Sequence, residues 1–385
     1  MRAFVFTDKK LERRAGQFVW LSINTEKKEN APVLAKFPVE AWPSFFVVDP
    51  QSEKVVLRWV GGATVSQVDR ILDDGRSAAK GRERGVDEIL ARADRLYGEG
   101  KNAEAVREYR LALAQAPESW PRYARATESL LFALDVLRES RPCAETARAA
   151  FPKLARTSSA ANVAALGLTC ATRIDAADPA RADLIAALAD DARAVLAAPP
   201  AEAAADDVSS LYGALADERE EARDAEGRRK VLSEWATYLE KQAAAAPNPA
   251  ARMVYDSHRV SAYIELNEPE RAIPMLEASQ RDAPDDYNPP ARLALAYRAM
   301  HRWDDALAAS DRALARAYGP RKIGILTARA EIFAGKGDAE SARKTLEEAV
   351  AYAESLPPGQ RSEKTIASLK KKLAAASSGG PSGGR

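Results

Sequence analysis

"MHRWDDALAASDRALARAYGP", residues 300–320, opens on a turn, continues as a helix with small residues on one face, and ends on Gly-Pro. The same frame recurs as "EGKNAEAVREYRLALAQAP" (99–117), "LNEPERAIPMLEASQRDAP" (266–284) and "GKGDAESARKTLEEAVAYAESLP" (335–357). In the 99–117 copy Ala105, Tyr109 and Ala112 fall on one helical face, and Pro117 closes the unit. The reference alanines Ala272, Ala306 and Ala342 stand 34 and 36 residues apart. A small residue is needed where two helices cross closely, and a turn with Gly, Asn or Asp must precede it to reverse the chain. Ala105, Ala272, Ala306 and Ala342 are therefore predicted to be buried at helix crossings.

This pattern resembles the tetratricopeptide repeat, a helix–turn–helix unit of about 34 residues. The resemblance is clear over residues 88–117 and 259–357. Between them, "SLLFALDVLRES" (129–140), "ADLIAALADDARAVLAA" (182–198) and "RKVLSEWATYLEKQAAAA" (229–246) read as helices of degenerate repeats in one continuous solenoid. The resemblance implies a protein or peptide partner in the solenoid groove. The end, "SSGGPSGGR" (377–385), is disordered by composition.

Before residue 76 the composition differs. "QFVWLSI" (17–23), "SFFVVD" (44–49) and "KVVLRWV" (54–60) read as strands, the last two joined by the turn "PQSE". Helices are expected at 4–14, at "NAPVLAKF" (30–37) and at "TVSQVDRILDD" (64–74), the last capped by Thr64 or Ala63. "GRSAAKGRERG" (75–85) reads as a linker. The domains expected are an α/β unit at 1–75, a linker at 76–86, an all-α solenoid at 87–376 and the tail at 377–385.

Within the α/β unit, "VEAWPSFFVVDP" (39–50), with "FVWLSINTE" before it and "QSEKVVLRWVGG" after it, resembles the later part of the thioredoxin fold. In that fold a cis-proline loop precedes the strand and offers backbone groups to an extended peptide. The resemblance implies a cis Trp42–Pro43 bond and makes Trp42 and Pro43 the substrate-contact candidates. Trp42 stands where the family carries a small or β-branched residue. "MRAFVFTDKKL" (1–11) resembles the continuation of the helix that begins at C-x-x-C in thiol:disulfide interchange domains. The expectation is an incomplete, N-terminally truncated thioredoxin-like α/β sandwich without its first strand and cysteine pair. Disulfide exchange needs a low-pKa thiolate and a resolving thiol, so the chain as given is expected to be redox-inactive. The main functional expectation is a protein-interaction protein. The alternative is a fragment or mis-started form of a thiol-disulfide oxidoreductase whose repeats recruit clients.

Composition excludes several classes. Lys and Arg number 57 against 56 Asp and Glu, so the basic excess of a nucleic-acid binder is missing. No apolar run reaches the roughly 18 residues of a membrane span. The N-terminus does not read as a signal peptide, which predicts a cytoplasmic protein, or a periplasmic or extracellular one if a signal peptide lies upstream. Cys143 and Cys170 sit in Ala-rich helical sequence and read as two small buried hydrophobes, with a disulfide as the alternative. "GGATVS" (61–66) and "GKGD" (335–338) lack the spacing of a phosphate loop and read as turns. His258 and His301, the only histidines, form no triad or metal pattern, and no cofactor or metal is expected. Trp120, Trp235 and Trp303 read as packing between repeats, with a peptide-facing role as the alternative.

Overall fold

The computed structural model describes residues 4–39, 41–81 and 83–377. In chain order it holds α1 (Ala31–Lys36), β1 (Ser44–Val48), β2 (Val55–Val60), α2 (Val65–Ala79), α3 (Val86–Gly98), α4 (Asn102–Gln115), α5 (Tyr123–Val136) and α6 (Ser140–Leu154). There follow α7 (Ala160–Thr172), α8 (Arg181–Ala197), α9 (Ala205–Glu221), α10 (Ala225–Ala244), α11 (Pro249–Met253) and α12 (Asp256–Glu265). The last are α13 (Ala272–Asp282), α14 (Asn288–Ala299), α15 (Trp303–Leu314), α16 (Arg321–Lys336), α17 (Ala339–Ser355) and α18 (Glu363–Ser377). Two compact units divide the chain: Met1–Phe18 with Val39–Tyr238, and Val19–Pro38 with Leu239–Arg385.

In the first unit β1 and β2 pair antiparallel, with Phe45 opposite Trp59 and Val47 opposite Leu57. Every residue of β2 is buried. Helix α2 covers the sheet by packing Val68, Ile71 and Leu72 into a core with Leu57, Trp59 and Ala63. Of the two predicted caps, Thr64 is the one used: its hydroxyl accepts from the Gln67 N–H, and the Gln67 side chain accepts in return from the Thr64 N–H. Arg14 holds the preceding 3-10 turn (Lys9–Arg14) to α2 through Asp69 at 2.7 Å and Asp73 at 2.6 Å.

Two expectations for this region are corrected. The helix foreseen at 4–14 is a turn and a short 3-10 helix. The strand foreseen at 17–23 does not form: Val19 is 87% and Leu21 77% exposed, and the chain there carries no regular element. β-Formers become a strand only when an edge pairs with them, and among the described residues the only strand pairing is that of β1 with β2. The sandwich foreseen thus reduces to a two-stranded sheet with α2 and α3 packed against β2, α3 so closely that a Cβ on Gly98 would meet Val55 at 2.4 Å. The residues meant to complete it, Val19–Pro38 with α1, belong to the second unit. The Trp42–Pro43 bond is cis, as expected.

The helices repeat one turn. Gly100, Arg138, Arg223, Asn267, His301 and Gly337 all have φ between 55° and 87°. After each, the next N–H donates to the carbonyl five residues back: Lys101 to Leu96, Glu139 to Leu134, Asp224 to Arg219, Glu268 to Tyr263, Arg302 to Tyr297 and Asp338 to Phe333. This left-handed cap reverses the chain between the two helices of a hairpin. Six hairpins share it among the described residues: α3–α4, α5–α6, α9–α10, α12–α13, α14–α15 and α16–α17. Five positions beyond the turn lie Ala105, Ala272, Ala306 and Ala342, at most 5% exposed, as predicted. The helix read through 129–140 is in fact interrupted at this turn, ending at Val136.

Cys143 takes the same slot in α6, and there it is joined to Cys170 of α7, with Cα atoms 6.0 Å apart. The reading as two separate hydrophobes is corrected: both are buried, but bonded. Close approach of the helices brings the sulfurs together, since a Cβ on Gly167 would meet the Ala147 methyl at 2.5 Å. Residues 76–86, read as a linker, lie inside the first unit, and α2 runs on to Ala79. Asp74 of α2 is gripped by Arg122 at 2.6 Å and by Arg125 at 2.8 Å, and Arg125 also reaches the buried Asp94 of α3 at 2.9 Å. The tail foreseen at 377–385 lies outside the described residues apart from Ser377.

Candidate functional site

In the second unit, residues 24–31 lie across three loops that separate successive repeats. The arm is shaped by its own side chains. Asn24 Oδ1 accepts from the Glu26 N–H at 2.9 Å, and the Asn30 amide donates to the Asn24 carbonyl at 2.8 Å. Pro32 sits in the first turn of α1, where it deprives the helix of no bond.

The bend projects Glu26 onto the solenoid. Its Oε1 accepts from the Tyr287 hydroxyl at 2.7 Å and faces Arg321 Nε at 3.3 Å. Burial, reinforced by the Glu26 carboxylate, pushes the Tyr287 phenol well above its ordinary range, so it stays a donor. Asn24 donates to the Tyr318 hydroxyl at 3.0 Å. Gln360 Nε2 donates to two main-chain carbonyls of the arm, Thr25 at 2.9 Å and Lys27 at 3.0 Å.

Two glycines let the arm's backbone close in. A Cβ on Gly319 would stand 2.1 Å from the Glu26 carbonyl oxygen, and one on Gly359 would stand 2.4 Å from that of Ala31. Tyr287 heads α14, Gly319 and Arg321 head α16, and Gly359 and Gln360 lie between α17 and α18. Equivalent loops of consecutive repeats thus build one surface that holds main chain and a single carboxylate. Beside the arm a cavity of about 500 Å³ is lined by Lys28, Tyr318, Tyr352, Leu356 and Gln360.

The residues singled out from sequence lie elsewhere. Trp42 is 59% exposed just before β1, and the Pro43 carbonyl accepts from the Gly61 N–H at 2.9 Å. His301 occupies a repeat turn with its ring 5.2 Å from that of Trp303, and His258 lies in α12. Trp120 donates to Asp87 and Trp235 to Ser209, both at 2.8 Å. Trp303 of α15 packs where Gly335 of α16 leaves room. All three tryptophans therefore serve helix packing. Among the described residues no group of three or more His, Cys, Asp or Glu could hold a metal ion. No described helix is long and apolar enough to cross a membrane. Tyr287, Gly319, Arg321, Gly359 and Gln360 were not legible as a site, because they share no motif. The nearest signals are the Gly-Pro at 319–320 and the Pro-Pro-Gly at 357–359, which mark loops that must turn sharply.

Residues 287–355, which span α14 to α17, match the tetratricopeptide repeat family. This stretch of the chain carries repeats of that type. The chain's fold is similar to a tetratricopeptide repeat protein from Parabacteroides merdae, at 11% identity over 75% of this chain and 98% of that one, TM-score 0.47. It is also similar to a thermophilic TPR protein of Thermus thermophilus (15% identity, 76% and 98% covered, TM-score 0.29). A third is the TPR2AB-domain–pHSP90 complex of yeast Sti1 (14% identity, 76% and 98% covered, TM-score 0.29). No curated protein sequence matches this one.

Proposed function

We propose that this chain is an interaction protein whose repeats bind an extended segment of a partner protein. The observation that carries the reading is the edge at Tyr287, Arg321 and Gln360, which already holds a stretch of polypeptide largely by its backbone. Stacked hairpins give such proteins long continuous surfaces, and the repeat match at 287–355 supports the same role. The test is a peptide library displayed to the full chain, with each bound peptide mapped by cross-linking and mass spectrometry. Cross-links to residues 256–360 are expected. Cross-links confined to residues 4–18 and 41–238 would remove the reading.

A second reading is favoured by the exposure of Trp42 ahead of β1: Trp42 and Pro43 contact an extended peptide on a thioredoxin-like remnant made of β1, β2 and α2. Such a remnant binds without exchanging disulfides. The chain's two cysteines are buried and joined to each other, so neither offers a thiolate. The buried disulfide also favours an oxidising compartment, periplasmic or extracellular, over the cytoplasm.

A further inference from the structure

The arm at 24–31 does not fill the surface it covers. Gln360 is 7% exposed, and its Oε1 has no hydrogen-bond partner among the described residues, although its Nε2 serves two carbonyls. A buried acceptor without a donor is costly, and a main-chain N–H is what would meet it. The cavity of about 500 Å³ between the arm, Tyr318, Tyr352 and Leu356 is a second unmet feature. The arm presents Lys27 and Lys28 there, both exposed, with Lys27 Nζ 3.7 Å from the Glu29 carboxylate. A third is the weak hold upstream, where Val19 and Leu21 stand in solvent at 87% and 77%.

We propose that this edge is a receptor for an acidic peptide of a partner, and that Glu26 with its flanking residues occupies it in cis and shuts it. The proposal rests on the reading of the repeats as peptide binders and names one site for it. The receptor consists of Tyr287 and Arg321 for one carboxylate, Gln360 for main chain, and Gly319 and Gly359 for close approach. The partner segment carries a glutamate followed within two residues by a bulky apolar side chain, which enters the cavity that Lys27 and Lys28 leave open. Its main chain supplies the N–H that Gln360 Oε1 lacks. Tethering gives the cis arm an effective concentration of order millimolar, so a trans peptide making only the same contacts competes poorly. A peptide that fills the cavity wins, and loosening the arm raises the affinity seen by any trans peptide, because the open fraction sets the apparent constant.

The test uses the full chain and a fluorescein-labelled peptide of residues 22–32, read by anisotropy. The Glu26→Ala chain is expected to bind it at least about tenfold more tightly than wild type, a factor worth about 1.4 kcal/mol. Adding Arg321→Ala or Tyr287→Phe to that chain should return binding to the wild-type level. A Lys28→Leu version of the peptide should bind the Glu26→Ala chain more tightly than the unmodified one. Asn24→Ala, which loosens the bend without removing the carboxylate, must move binding in the same direction and guards against one variant misfolding. Equal binding by wild-type and Glu26→Ala chains overturns the proposal. So does amide exchange at residues 24–31 that is unchanged in both loosened chains, since the arm is then a fixed strap. Either failure leaves partner cross-links elsewhere on the repeats, and the general binding reading, untouched.

Discussion

Tyr287 donates its phenolic proton to Glu26, 261 residues earlier in the chain, at 2.7 Å. This bond joins the head of α14 to the arm that follows the stretch 17–23, whose composition reads as strand. A hydrogen bond to a charged group is worth about 1.5–3 kcal/mol, and partial exposure places this one at the low end. Tyr287→Phe keeps the ring and loses the donor. Amide exchange at residues 24–31 should quicken by about tenfold while the amides of α14 to α17 keep their rates. Equal acceleration across the repeats would mean that Tyr287 supports the solenoid and not the arm.

The second prediction concerns Glu128 and Asp207 in the first unit. Burial raises the Glu128 carboxyl to about 7, against opposing hydrogen bonds from Ser159 and Asn162. Burial, then the nearby Glu128, raises Asp207 well above its usual range. A carboxyl that holds its proton more firmly when folded stabilises the fold at low pH. That stability is full below the unfolded value, near 4.5, and is lost as pH rises through about 7. The melting temperature of wild type should therefore fall between pH 5 and 7. Glu128→Gln, which can still accept from Asn162, should flatten the fall. A wild-type profile that rises over this interval, or one that Glu128→Gln leaves unchanged, refutes the assignment.

The third prediction concerns the bond from Cys143 to Cys170, which closes a loop of 27 residues. By the chain-entropy account a loop of this size stabilises by about 3.5 kcal/mol. The Cys143→Ala/Cys170→Ala chain should melt several degrees below wild type in non-reducing buffer, and reductant should not lower it further. Thiol titration of denatured, unreduced wild type should find no free thiol. Two free thiols would end the argument.

How far the sequence could be read depended on which residues met local rules. The alanines at 105, 272, 306 and 342 were found because each follows a turn built on Gly or Asn, or on the His-Arg pair at 301–302, at a fixed offset. The hairpins at α5–α6 and α9–α10 were blurred because Arg138 and Arg223 stand in the left-handed turn, where the pattern expects Gly, Asn or Asp. The stretch 17–23 misled because β propensity says nothing of whether an edge is available. The disulfide stood only as the alternative, since a 27-residue separation names no partner and the α6–α7 crossing does. The candidate site was illegible because its parts lie in loops of three repeats and in an arm far upstream.

The repeat register itself can be tested at Ala306, which is fully buried where α14 and α15 cross. Ala306→Leu adds three carbons to a packed crossing, at about 1–3 kcal/mol. Calorimetry should show a lower melting temperature with the helical content retained. Melting at the wild-type temperature would show that the crossing has room and that the register is wrong.

Two of the left-handed turn residues, Arg138 and Arg223, are ones the repeat pattern did not foresee. Arg138 has φ of 60° and an exposed side chain, between α5 and α6. The left-handed conformation costs an L-residue about 1–2 kcal/mol, which glycine avoids. Glycine in turn gives up about 0.5–1 kcal/mol through the freedom it has when unfolded. The balance favours glycine here, so Arg138→Gly should stabilise the first unit by about 0.5–1 kcal/mol, and Arg223→Gly should act likewise at α9–α10. In the double variant the gains should add, because the two turns share no partner. Chemical denaturation followed by the tryptophans of the first unit measures this directly. A loss of stability in both single variants would mean that the arginine side chains contribute more than their backbones cost.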